Sequence, residues 1–166
     1  MIKNYYCKVH QSQSMTGHPL YFFSLTNLLS GKFIVMGMPT IVHFEIPSDN
    51  VERSKKFYSN LFGWNIEKVS PEKLPEGVEY WAITTTNHNG DNAVAGGMMK
   101  RMMPEQQGIT NYIDVKSVEE YSSKVEKLGG KVRMAKMAVP GMGYLAVCSD
   151  TENNTFGLWE NDITAK

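Results

Sequence analysis

Cysteine is scarce in this chain. Its 166 residues hold two, Cys7 and Cys148. Two thiols cannot frame a disulfide scaffold, and they have no metal-type spacing, so a reducing, cytoplasmic setting is expected. Long apolar runs are missing too. No uninterrupted stretch approaches the roughly 18 residues that a membrane-crossing helix needs. Neither sign of charge is in excess: Lys plus Arg number 17 and Asp plus Glu 17, for a formal net charge of zero. Nucleic acid and anionic membranes both call for a basic field, so neither is expected as a partner. The chain also lacks a G-x-G-x-x-G fingerprint, a Walker loop, a G-x-S-x-G elbow and a Cys/His pairing. Sites for dinucleotides, nucleoside triphosphates or a serine or cysteine nucleophile therefore have no sequence support.

What is present suggests one ordinary domain, with a hydrophobic fraction of 42% and a charged fraction of 20%. Residues 1–37 show no clean period of 2 or 3.6. Their one apolar run, residues 20–29 (LYFFSLTNLL), follows Lys3 and Lys8, an order that a signal peptide also shows. Ser24, Thr26 and Asn27 interrupt the run, and no A-x-A-like cleavage site follows. The segment is read as a dispensable, poorly ordered extension, such as a start codon set too far upstream would produce. The domain proper is expected over residues 38–166.

From Thr40 onward the pattern becomes regular. Residues 40–46 (TIVHFEI) read as a strand. Asp49 is placed to cap a helix, with Glu52 three positions on. Val51, Ser54, Phe57, Tyr58, Leu61 and Phe62 share one helical face, and Gly63 ends it. Strands follow at 64–69, 79–85 and 93–100. Residues 102–108 form a polar linker, and the order then repeats. A strand at 109–115 precedes a helix capped by Ser117 with Glu120, striped by Val118, Tyr121, Val125 and Leu128 and stopped by Gly129 and Gly130. Strands at 131–134, 144–149 and 155–160 complete the second unit. An offset of 67 lays Ile46 on Ile113, Val51 on Val118, Glu52 on Glu119, Leu61 on Leu128 and Gly63 on Gly130. Register matches at strand, helix and cap positions argue for duplication. The fold expected is α+β: two tandem βαβββ modules, about 40–103 and 108–161, in a curved, barrel-like mixed sheet with a central cleft.

Three segments carry a family resemblance: residues 42–47 (VHFEIP), 57–64 (FYSNLFGW) and 139–160 (VPGMGYLAVCSDTENNTFGLWE). With the duplicated module order, they resemble the vicinal oxygen chelate superfamily of glyoxalase I, bleomycin-resistance proteins and extradiol dioxygenases. The likeness covers about residues 40–161. It speaks for fold far more than for reaction, since one fold hosts many chemistries. The resemblance implies a homodimer, and four metal ligands in metal-dependent members, on the first and last strand of each half. The first position falls on His43, fifteen residues before Tyr58. The offset carries it to Thr110. The last-strand positions fall on Gly157 and within residues 94–98 (VAGGM). Of these, His43 alone has a ligating side chain, so no cofactor is expected. A divalent Zn, Ni, Mn or Fe ion is the alternative, with His43, Glu45 and Asp114 as a rearranged set.

Strand alternation gives the expected cleft lining: His43 and Glu45, then Thr110, Tyr112 and Asp114, then Gly157 and Trp159. Gly157 is expected to open space, and Met98 and Met99 to add adaptable surface. Phe156 and Leu158 are expected beneath the helices, and Gly96 and Gly97 to form a bulge. His43 is the best general base, with Glu45 beside it holding up its pKa against burial. Two functions follow. One is a metal-independent protein that binds a small organic molecule in the cleft. The other is a glyoxalase-type lyase or isomerase, or a dioxygenase, acting on a small carbonyl or aromatic compound with a divalent metal.

Overall fold

A computed structural model describes residues 38–74, 76–102 and 108–166. The expected N-terminal extension and most of the linker at 102–108 lie outside the described residues. The elements run β1 (Ile41–Ser48), α1 (Val51–Phe62), β2 (Asn65–Lys68), β3 (Tyr80–Thr84), β4 (Ala95–Lys100), β5 (Thr110–Asp114), α2 (Val118–Lys127), β6 (Lys131–Val139), β7 (Gly143–Ser149) and β8 (Thr155–Asn161). A short 3₁₀ turn at Pro71–Lys73 lies between β2 and β3. Two βαβββ modules are therefore present. No described helix is long and apolar enough to cross a membrane.

All eight strands join one mixed sheet in the order β2-β3-β4-β1-β5-β8-β7-β6. Each module places its first strand parallel to its last, β1 with β4 and β5 with β8. The modules meet where β1 and β5 pair antiparallel, His43 opposite Tyr112 and Glu45 opposite Thr110. The offset of 67 exchanges these two pairs, as a two-fold repeat requires. The sheet is not closed: β2 and β6 are its edges. The two halves share this one sheet through the β1–β5 pairing.

Both helices lie on the same side of the sheet. Under α1, Ile46, Ile66, Trp81, Ile83 and Met98 form a buried cluster with Phe44, Val51, Tyr58 and Trp64 packed against it. Under α2, Val115, Val118, Ala146, Cys148 and Leu158 do the same, with Ile113, Tyr121, Val125 and Phe156 around them. Because side chains alternate along a strand, these residues fix the opposite face as a shared open face. Phe156 and Leu158 lie on the helix side as expected. Met98 lies there too and is fully buried, so it does not line the open face. Its neighbour Met99 does.

Local chemistry explains the helix ends. The cap of α1 is Asn50, not Asp49: Asn50 Oδ1 accepts from the N–H of Arg53 at 2.9 Å, while Asp49 pairs with Arg101. Gly63 ends α1 at φ 69°, a left-handed conformation suited to glycine. Ser117 caps α2 through the N–H of Glu120, as read from sequence. Glu160 Oε2 also accepts from the N–H of Val118 at 2.7 Å, tying β8 to the helix start. The apolar face read for α1 is too broad. Phe57, Leu61 and Phe62 are each more than half exposed, so Val51 and Tyr58 make the packing contact.

Candidate functional site

The open face gathers a bonded group of side chains where the modules meet. His43 and Glu45 come from β1, Tyr80 from β3 and Tyr112 from β5. Tyr112 Oη donates to Glu45 Oε2 at 2.7 Å, and Tyr80 Oη to Glu45 Oε1 at 3.4 Å. His43 Nε2 lies 2.7 Å from Tyr80 Oη. The His43 ring stands 5.9 Å from that of Tyr112 and 6.5 Å from that of Tyr80. Tyr112 is buried, and the other three are half-buried.

Tyr80 sits two strands away from Glu45, with β4 between them. It crosses β4 at Gly97. A Cβ there would come under 3.0 Å from the Oη, Cζ and Cε1 of Tyr80. On β8, a Cβ at Gly157 would meet the Tyr112 ring, with Cγ at 2.6 Å. The two glycines are equivalent in the repeat: Gly97 lies beside Glu45, and Gly157 beside Tyr112. Each gives up a side chain to seat a tyrosine. The expectation that Gly157 opens the cleft is thereby corrected, because the Tyr112 ring fills that space. The bulge expected at Gly96 and Gly97 is corrected as well. Pairing of β4 runs through both residues without a shift, and Gly96 seats the Phe44 ring on the helix side.

Burial dominates the electrostatics. It pushes the Glu45 carboxyl above its usual range, although the hydrogen bonds from Tyr112 and Tyr80 pull the other way. It pulls the His43 imidazole down, which keeps the ring neutral near pH 7. The expected support of His43 by Glu45 is not found, because Tyr80 bridges the two. Burial first, and then the Glu45 charge, raise both phenols, so Tyr80 and Tyr112 keep their protons.

Of the residues read from sequence, His43, Glu45 and Tyr112 come together. Thr110 is buried opposite Glu45. Asp114 and Trp159 pair farther along the face, where Asp114 accepts from Asn161 Nδ2 at 3.0 Å and Trp159 Nε1 donates to Asn161 Oδ1 at 2.9 Å. Tyr80 and Gly97 were missed. Tyr80 was legible as an open-face residue, since Trp81 and Ile83 beside it are core. Its reach over Gly97 was not. Among the described residues, no three His, Cys, Asp or Glu side chains gather in metal-binding fashion. A shallow depression lined by Arg53, Lys56, Phe57, Asn60 and Leu61 lies on α1, away from this group.

Comparison with known proteins agrees with the fold. Residues 40–73 match the family described as bleomycin resistance protein-like N-terminal. The anthracycline biosynthesis protein DauV of Streptomyces sp. (strain C5) is 29% identical over 132 residues, covering 72% of this chain and 46% of that protein. The chain thus spans about half the length of the first curated relatives it matches. Among solved structures, a Streptomyces coelicolor methylmalonyl-CoA epimerase variant in complex with 2-nitronate-propionyl-CoA superposes with a TM-score of 0.53 at 12% identity. The overlap covers 78% of this chain and 99% of that one. A glyoxalase/bleomycin resistance protein/dioxygenase superfamily member from Vibrio splendidus 12B01 gives 0.52 at 14% identity, over 75% and 100% of the two chains. At such identities these structures speak for the fold.

Proposed function

We propose that this chain is a member of the glyoxalase/bleomycin-resistance/dioxygenase superfamily and binds a small organic molecule on its open face without a complete metal site. The observation that carries the reading is the bonded group of His43, Tyr80, Glu45 and Tyr112. Polar side chains from both modules converge on one half-buried patch bordered by aromatic rings. That is how small-molecule sites combine apolar lining with a few placed polar groups. The same reading has two copies of the chain pairing in a reducing, cytoplasmic compartment, and light scattering on the purified protein tests the pairing.

The donor set argues against a resident divalent ion. Such an ion takes three or four N, O or S ligands. His43 and Glu45 are two, and both are engaged by phenols. Phenols that hold their protons are poor ligands. Gly97 and Gly157 offer no side chain, and Asp114 is bonded to Asn161.

A second reading, a metal-independent lyase or isomerase, draws on His43. A neutral, half-buried imidazole at pH 7 is suited to take a proton from carbon beside a carbonyl. Thermal-shift screening separates these readings. Wild type, Tyr112→Phe and His43→Ala are scanned against divalent metals, glutathione adducts, aromatic compounds and coenzyme-A thioesters, with metal content measured on the purified protein. A one-site ligand at a hundred times its Kd stabilises by about 2.7 kcal/mol. A shift that weakens in Tyr112→Phe supports binding at the cluster, and turnover that vanishes in His43→Ala supports the enzyme. Stoichiometric metal lost in His43→Ala overturns the metal-free site, and ligand shifts indifferent to both substitutions place binding elsewhere.

A further inference from the structure

We propose that the open-face cluster selects a small organic cation that brings its own N–H donors. This rests on the open face being a small-molecule site. Proton counting leads to it. Each tyrosine hydroxyl carries one proton. Tyr112 gives its proton to Glu45 Oε2, and Tyr80 to Glu45 Oε1. The Tyr80 proton is then unavailable to His43. With Glu45 ionised and holding the Tyr80 proton, the 2.7 Å contact between His43 Nε2 and Tyr80 Oη is assigned as an Nε2–H donating to the phenol oxygen. His43 is thereby held in its Nε2–H tautomer, and Nδ1 keeps a lone pair. Among the described residues, nothing bonds Nδ1.

With that assignment all the polar protons of the cluster are spent inside it. What remains for a ligand is acceptor capacity: Nδ1, two phenol oxygens and the unused lone pairs of Glu45. A carboxylate, a phosphate or a bare carbonyl meets no donor here. An ammonium or amidinium meets several acceptors.

The charge on the face agrees. Among the described residues, the open-face positions of β1, β3, β4, β5, β7 and β8 hold Glu45 and Asp114 and no Lys or Arg. The cations of this side sit on β6, four places from β1, where Lys131 lies opposite Ser149 and Arg133 Nε donates to the Ser149 hydroxyl. Three rings surround the carboxylate, and Trp159 lies on the same face. Aromatic faces attract cations, most strongly where water is thinned.

The test uses three probes with one ring and different charge: benzylammonium, benzyl alcohol and benzoate. Each is titrated into the full-length protein and followed by ¹⁵N–¹H NMR of the His43 imidazole and by calorimetry. Benzylammonium is expected to bind about tenfold tighter than benzyl alcohol, with benzoate weakest. Glu45→Gln is expected to bring the three within about twofold, which removes the charge preference. Long-range ¹⁵N–¹H correlations are expected to show Nε2–H in the free protein. Circular dichroism checks that Glu45→Gln folds, and Tyr80→Phe, which lets His43 change tautomer, is the second variant. Benzoate binding as tightly as benzylammonium overturns the cation preference, as does an Nδ1–H tautomer in the free protein. In the first of those cases a site at the cluster still stands, so the broader reading survives. If none of the probes binds, the cation proposal fails, and if the wider ligand screen also finds nothing, the small-molecule reading fails with it.

Discussion

Gly97→Ala is the sharpest probe of how this site is built. Gly97 does not have a positive φ, so alanine brings no backbone strain there. Its methyl group instead occupies the space that the Tyr80 phenol now fills, under 3.0 Å from three of its atoms. Three terms set the outcome. Overpacking costs about 1–3 kcal/mol. Displacing Tyr80 loses its contacts to His43 and Glu45, at roughly 1 kcal/mol each and less for the longer one. Replacing glycine in a strand returns about 0.5–1 kcal/mol. The expected net loss is about 2 kcal/mol, a fall in Tm of roughly 5 °C for a chain of this size. Urea unfolding of four proteins decides it: wild type, Gly97→Ala, Tyr80→Ala and the double variant. With Tyr80 truncated the methyl group has room, so Gly97→Ala should then be neutral or slightly stabilising. That difference is the coupling energy of the pair. An equal loss in both backgrounds would refute the claim that Gly97 exists to seat Tyr80.

Other expectations are quicker to check. Glu45 is raised by burial from its usual 4.5, so the stability it contributes is full below that pH and is lost as pH rises through the raised value. Stability curves from pH 4 to 8 should therefore show Glu45→Gln gaining on wild type as pH increases, and parallel curves would contradict the burial argument. His43 is lowered from 6.5, so its contribution is present above that pH and lost on acidification through the lowered value; His43→Gln should remove that slope. Met98→Ala should cost about 2–5 kcal/mol in urea unfolding and Met99→Ala much less, because Met98 alone is in the helix-side core. Asn50→Ala should cost about 1 kcal/mol while Asp49→Ala stays near neutral, which a pair of thermal melts would show.

Much of the scaffold was legible because its causes are local. Alternation at 40–46, 109–115 and 155–160 separated core from open face, so His43, Glu45, Tyr112, Phe156 and Leu158 were placed on the sides they occupy. Ser117 and Gly63 were readable as helix punctuation from their own chemistry. Where two neighbours offered the same chemistry, sequence did not separate them: Asp49 and Asn50 both suit a cap, and Met98 and Met99 both suit a pocket. The α1 stripe was overdrawn because apolar residues at helical spacing do not say how wide a face the sheet covers. Strand β6 runs on to Val139, past the reading at 134, carried by pairing with β7 through two register shifts.

The pattern of residues alone determined a duplicated βαβββ chain, its order of elements and the side of each strand that meets a helix. These follow from periods of 2 and 3.6 and from caps acting within a few residues. The tertiary structure decided that β1 and β5 join the halves into one open sheet, and that two tyrosines reach one carboxylate. Those contacts link residues 35 and 67 positions apart. Whether a ring can cross an intervening strand depends on the side chain missing from that strand. The space over Gly97 becomes visible only when β3, β4 and β1 are laid side by side.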